Sequence, residues 1–308
     1  LAGDFIIQID DTPVFGLTLN ESVELMRGEK GKAVRLTISR EGVEPFEVTV
    51  VRDIIKIQSV KHEVYNDIGY LRITSFTEQT EEGLLKAINT IQTENEGING
   101  YILDLRSNPG GLLNQAVKVT DIFLKRGEIV STRGRETKDI RRYRAKNKDL
   151  TNGKPIVVII NGGSASASEI VAGALQDHRR AIVIGTQSFG KGSVQTIIPF
   201  QRSNSDNISG IRLTTARYYT PSGESIQGKG ITPDIIIEQG EFESFDFKRY
   251  SESDLKDSLD KEDNNSNNKE EDNVELSEKE ERLARDYQLR RALDLIRGLS
   301  IFEESLEE

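Results

Sequence analysis

With 308 residues the chain can build a sizeable core and, by the usual size of domains, about two of them. It has no cysteine, which excludes disulfides and thiolate metal sites, and no apolar run approaches the ~20 residues that span a bilayer. The net charge of −10 is concentrated between Glu252 and Glu281, where thirteen acidic side chains stand against four lysines; the remainder is nearly neutral and carries no nucleic-acid footprint.

Residues 5–9 (FIIQI), 34–38 (VRLTI) and 46–51 (FEVTVV) read as short strands. Between the first two, Thr18 and Glu21 have capping-box spacing, and Leu19, Val23 and Met26 share a helical face. This is a small module of about 50 residues. From Gly69 the pattern changes. "GYLRITSF" is strand-like, "TEEGLLKAINTIQ" is helical through Leu84, Ile88 and Ile91, and "GYILDLRSNPGG" is a buried strand that ends in a Gly-rich turn. "PIVVIINGGSASASEIVAGALQD" repeats that logic with a helix from about Ser166. Strands alternating with helices predict an α/β domain whose active groups sit at strand ends. Residues 250–280, with "NNSNN" and dense acid, cannot repay the entropy of ordering and read as a disordered linker. Beyond it Leu289, Leu293, Ile296 and Leu299 fall at helical spacing, with Gly298 and Ser300 weakening the end.

Gly185, Gly190 and Lys191 fit the first seven positions of the phosphate-loop pattern G-x-x-x-x-G-K-[ST]. Gly192 stands where the magnesium-binding hydroxyl belongs, and "SVQTIIPF" after it is β-branched and reads as a strand, not as the helix that a phosphate needs. Lys191 is then either a surface lysine in a turn or a partner for the run "GSASASE" (163–169). Small residues there let the backbone approach a ligand, and a helix start supplies amide donors to an oxyanion. The two histidines, His62 and His178, are badly placed for a serine in this run, and G-x-S-x-G is missing. A lysine kept neutral by burial is another kind of base, for which Phe189 and the glycines could provide a pocket; on spacing alone this stands beside the surface-lysine reading. Ser164 and Ser168 read as cap or turn residues, Glu169 as the capping partner of Ser166, and Asp104 and Arg106 as buttresses of the Gly-rich turn.

Four stretches, in order, carry a family resemblance: "LAGDFIIQIDDTPV" (1–14), "DLRSNPGG" (104–111), "SASASEIVAGALQDHRRAIVIGTQSFGKGSVQ" (164–195) and "ARYYTPSGESIQGKGITPDI" (216–235). They resemble the carboxyl-terminal processing peptidases, the tail-specific serine proteases of family S41, over residues 1 to about 240. The resemblance implies an α/β (α+β) multidomain chain. Its parts would be the later part of a PDZ domain (1–52), a ClpP/crotonase-like peptidase core (53–245), the acidic disordered linker (246–280) and a C-terminal amphipathic helix (281–302). Carried over by position, Ser166 is the nucleophile, Lys191 the general base and Gln195 the residue that orients the lysine. The Ala167 amide and that of Gly110 or Gly111 form the oxyanion hole, with the choice of glycine left open. No metal or organic cofactor is implied.

The implied substrates are proteins or peptides with unstructured, apolar C-terminal tails, taken by the PDZ module as an added strand. Its carboxylate-binding loop is expected before Leu1, which makes the chain an N-terminally truncated fragment. The resemblance further implies an exported enzyme, periplasmic or attached to the inner membrane of a Gram-negative bacterium through a segment before Leu1. An adaptor that delivers substrates and a homo-oligomer formed through the terminal helix are further expectations. Two other readings compete. A catalytically silent PDZ peptide-binding scaffold is disfavoured by the intact Ser166, Lys191 and Gln195, and a nucleotide-binding protein is disfavoured by Gly192.

Overall fold

The computed structural model describes residues 4–40, 42–54, 58–95, 97–146, 149–199, 210–240 and 278–307. The chain divides into two compact units, Leu1–Ile57 and Gln58–Glu308. The linker expected over 246–280 lies outside the described residues as far as 277, and its last three positions open a helix, Glu278–Arg285.

In the first unit β1 (Phe5–Ile9), β2 (Thr12–Pro13), β3 (Ala33–Arg40) and β4 (Val43–Val51) form an antiparallel sheet in the order β2-β1-β3-β4. Helix α1 (Leu19–Met26) begins where Thr18 and Glu21 close a capping box: the Thr18 amide donates to Glu21 Oε2 at 2.8 Å and the Glu21 amide to Thr18 Oγ1 at 3.3 Å. Burial is thin here. Ile9, Val34 and Ile38 are buried, while Phe5, Phe15 and Leu19 are exposed.

The second unit is layered. Strands β5 (Val60–Tyr65), β6 (Ile68–Ile73), β7 (Gly100–Asp104), β10 (Ile156–Ile160), β11 (Ile182–Gly185) and β14 (Ile235–Ile236) make a sheet in the order β14-β11-β10-β7-β6-β5, parallel except for β5. Helices α2 (Thr80–Glu94), α3 (Leu113–Phe123) and α4 (Ala167–Asp177) pack on one face. A second, antiparallel sheet joins β12 (Ser193–Pro199), β13 (Gly210–Tyr219), β8 (Glu128–Arg133) and β9 (Arg141–Arg144). Two helices follow late in the chain, α5 (Glu278–Arg285) and α6 (Tyr287–Glu307).

Strand β10 shows why its sequence, IVVII, is apolar throughout. Ile156, Val158 and Ile160 face the core shared with α2, α3 and α4, whereas Val157 and Ile159 face Leu289, Ala292, Leu293 and Ile296 of α6. A strand with both faces covered has no reason to alternate. The apolar stripe of the terminal helix is therefore occupied within the chain. Among the described residues of α6, Ile301 and Phe302 are the large apolar side chains left exposed. The helix also runs through Gly298 and Ser300, because docking outweighs a glycine cost of about 1 kcal/mol. The approach is close enough that a Cβ on Gly100 would lie 2.5 Å from Ile296 Cγ2.

Leu293→Ala is expected to lower unfolding free energy by roughly 2–5 kcal/mol in urea titrations, the range for a buried leucine truncated to alanine. A chain ended at residue 277 should aggregate in light scattering, since it uncovers Ile102, Val157, Ile159 and Ile184.

Candidate active site

Strands β7 and β10 run parallel with Asp104 opposite Ile159, so the turns that follow them leave the sheet side by side at its C-terminal edge. The turns are stitched together. Leu105 N donates to Ile159 O at 2.9 Å and Ala165 N to Asn108 O at 3.0 Å. Ser164 Oγ donates to Leu105 O at 2.8 Å and Ser168 Oγ to Asn108 O at 2.9 Å. Both hydroxyls are fully buried and committed to these carbonyls.

Ser166 differs from its two neighbours. It is half-buried, it is the N-cap of α4, and its backbone stands at φ 56°, ψ −109°. A side-chain-bearing residue pays about 1–3 kcal/mol for such a conformation, and it persists only where the surroundings over-determine it. Here they do, through Glu169. The Glu169 carboxylate is wholly buried and takes four donors: Ser166 N at 2.7 Å and Lys191 N at 2.9 Å on Oε2, Ser188 Oγ at 2.6 Å and Gly190 N at 2.5 Å on Oε1. One oxygen thus holds the amides of Ser166 and Lys191, which fixes two backbones 25 positions apart in sequence beside each other. The segment around Lys191 is pinned from the other side as well. Ser188 N donates to Ile231 O at 3.1 Å, Ile231 N to Ser188 Oγ at 2.7 Å and Gly228 N to Gly190 O at 2.8 Å.

The Gly-rich turn closes on the serine. A Cβ on Gly110 would lie 2.6 Å from Ala165 O, 2.8 Å from Ser166 Cβ and 2.9 Å from Ala167 N, so only glycine fits there. Asn108, buried, donates through Nδ2 to Ile73 O at 2.8 Å and accepts the Gly110 amide on Oδ1 at 2.9 Å. Among the described residues the Gly111 and Ala167 amides donate to nothing, and Gly111 is exposed. The structure therefore brings Ser166, Ala167, Gly110, Gly111 and the backbone of Lys191 into one place.

Two expected features are not present. The Lys191 side chain is exposed and Phe189 is 67% exposed, so the apolar pocket expected around the lysine is open to solvent. Gln195, in β12 beside a bulge, is exposed too, and among the described residues no hydrogen bond links its side chain to Lys191 or that of Lys191 to Ser166. The histidines lie elsewhere. His178 caps the far end of α4, with Nε2 2.7 Å from Glu128 O, and His62 is an exposed residue of β5. The strand β12 directly after Gly192 leaves no helix N-terminus at Lys191, which removes the phosphate-loop reading.

Sequence reasoning assigned Glu169 a capping role and missed that the same carboxylate holds Ser188, Gly190 and Lys191. It missed Ser188 altogether, since no spacing rule links residue 188 to 169 or 231. Asp104 and Arg106 do support the turn. Arg106 donates to Asp104 from N (2.9 Å), Nε (3.0 Å) and Nη2 (2.7 Å), and Tyr70 OH adds a bond at 2.7 Å. Burial alone would raise the Asp104 carboxyl, but the hydrogen bonds and charge of Arg106, with Tyr70, outweigh it and hold the group below its usual value.

Residues 67–237 match the model of peptidase family S41, and the chain belongs to that family. It is 62% identical over 242 residues to the carboxy-terminal-processing protease of Bartonella bacilliformis, an alignment covering 78% of this chain and 55% of that protein. It is 40% identical over 238 residues to the carboxy-terminal processing protease CtpA of Bacillus subtilis, covering 76% and 49%. Among solved structures, the photosystem II D1 C-terminal processing protease is similar with a TM-score of 0.52 at 31% identity, over 77% of this chain and 64% of that one. The chain spans about half the length of the curated relatives it matches.

Glu169→Gln puts an amide NH2 against buried donors and is expected to cost about 1–3 kcal/mol or more in urea unfolding, the penalty for an unsatisfied buried group. The Asp104 contribution has a pH sign. Its folded value is depressed, so its stabilisation is present above the unfolded carboxyl value of about 3.9 and is lost as pH falls through the folded value. Asp104→Asn should therefore be less stable than the parent at pH 7, and the gap should narrow below about pH 4.

Proposed function

We propose that this chain is the catalytic part of a serine-type endopeptidase that cuts unstructured polypeptides with Ser166 as nucleophile and Lys191 as general base. The observation that carries this reading is the single Glu169 oxygen that holds both backbones, beside two uncommitted amides, those of Gly111 and Ala167.

Ser166 Oγ attacks the peptide carbonyl carbon while Lys191 Nζ takes the hydroxyl proton. The carbonyl oxygen becomes an oxyanion facing the amides of Ala167 and Gly111, and Gly111 is the glycine of choice because the Gly110 amide is spent on Asn108. Collapse breaks the C–N bond, the leaving amine takes the proton from Lys191, and water then releases the acyl group by the same path. The lysine must be neutral to begin. Its side chain and Phe189 are both open to solvent, so a polypeptide laid across them supplies the desolvation that favours the neutral amine, with Gln195 orienting it.

The first unit, by its resemblance to a PDZ module, receives apolar C-terminal tails as an added strand. An exported location, periplasmic or at the inner membrane of a Gram-negative bacterium, fits the same resemblance. Among the described residues no helix is long and apolar enough to cross a membrane.

Ser166→Ala and Lys191→Ala are each expected to slow cleavage of a dye-labelled unfolded polypeptide with an apolar C-terminus by at least ~10³-fold, with both variants still folded by circular dichroism. Equal cleavage by the parent and both variants would contradict the assignment.

A further inference from the structure

The Gly-rich turn has a second anchor on the opposite face of the sheet from α4. All five N–H donors of the Arg106 guanidinium are used. Besides the two bonds to Asp104, Nη1 donates to Asp286 Oδ1 and Nη2 to Asp286 Oδ2, each at 2.7 Å, and Nη1 also to Gln288 Oε1 at 3.2 Å. Asp286 lies between α5 and α6, and its Oδ1 accepts the Leu289 amide at 3.0 Å, which caps the first turn of α6. Gln288 Nε2 donates to Ile237 O at 2.7 Å, holding the same corner. Arg106 is two residues before Asn108, the side chain that fixes Gly110 and whose carbonyl takes Ala165 N and Ser168 Oγ. A continuous chain of bonds therefore runs from the cap of α6 through Arg106 to the turn that carries the Gly111 amide.

Packing alone does not hold Arg106 where it is. Arg106 borders an open surface cleft of about 380 Å³, together with Arg72, Ser107, Asn161, Glu238 and Asp286, which gives its side chain room to turn once a partner is lost. Asp104 keeps Arg106 near β7, and Asp286 sets the direction in which its far nitrogens point.

The geometry points to Asp286 as a positioning residue: the Asp286–Arg106 pair, formed at the cap of α6, sets the Gly110–Gly111 turn and with it the oxyanion site. This rests on the peptidase reading for its effect on rate and is independent of that reading for its effect on the turn. It makes the cap and first turn of α6 part of the active-site support.

The test compares the full chain with Asp286→Asn, Asp286→Glu and Leu293→Ala, the last loosening α6 without touching Arg106. Hydrogen exchange is read over residues 106–112 and over β10, and kcat and KM are read on a dye-labelled unfolded polypeptide well below the melting temperature. Asp286→Asn is expected to speed exchange at 106–112 by about tenfold or more while β10 stays protected. It should lower kcat by about ten- to a hundredfold with KM within about twofold, the size of effect that small misplacement of a catalytic group produces. Asp286→Glu should recover part of both, and Leu293→Ala should leave both near the parent. Unchanged exchange at 106–112 in Asp286→Asn overturns the proposal whether or not the parent cleaves. So does an equal change in Leu293→Ala, which would make the effect one of general stability. A parent that cleaves nothing while the exchange effect persists refutes the peptidase reading and leaves the coupling standing.

Discussion

The site depends on one buried carboxylate. A side chain with no access to water must have its acceptors filled, and Glu169 fills them with donors from two separate stretches, Ser166 and the loop holding Ser188, Gly190 and Lys191. That requirement brings the cap of α4 to the loop before β12, and it holds Ser166 in a backbone conformation it would otherwise leave. The small residues around it follow. Ala165, Ala167 and Gly110 leave the space in which the two turns meet, and a methyl group on Gly110 would collide with the serine.

The sheet supplies the rigidity on which this rests. Its central strands are covered on both faces, by α2, α3 and α4 on the side of the serine and by α6 on the other. The C-terminal edge of β7 is tied to both layers: Asn108 O accepts Ala165 N and Ser168 Oγ from the start of α4, and Arg106 bonds toward α6. By contrast, the groups assigned to proton transfer, Lys191 Nζ and the Gln195 side chain, extend from a pinned backbone into solvent. Under the proposed mechanism, fixed amides and exposed side chains are a sensible division, because the amides must be in place before charge develops, whereas the amine must be desolvated only when a polypeptide arrives.

Much of this was legible in the sequence because the signals are local. The FIIQI strand, the Thr18 capping box, the IVVII run and the small-residue turn before α4 each follow from neighbours within a few positions. What could not be read depends on distant partners. Helix α3 hides its periodicity because Gln115, Thr120 and Asp121 are buried polar residues, and Gln115 Oε1 is satisfied by the Glu81 amide at 3.0 Å. Strand β8 similarly buries Ser131 and Thr132. The stripe on α6 was visible, but not that its partner was the odd face of β10, since nothing in either segment names the other. Phe189 looked like a wall for Lys191 because it is large and apolar, yet it faces solvent.

The most direct measurement is to treat the chain with a fluorophosphonate, which a reactive serine attacks at phosphorus with loss of fluoride, and to locate the adduct by peptide mass spectrometry. The account predicts one adduct, on the peptide containing Ser166, formed far more slowly in Lys191→Ala. An adduct on another serine, or equal labelling of the Lys191→Ala chain, would contradict it.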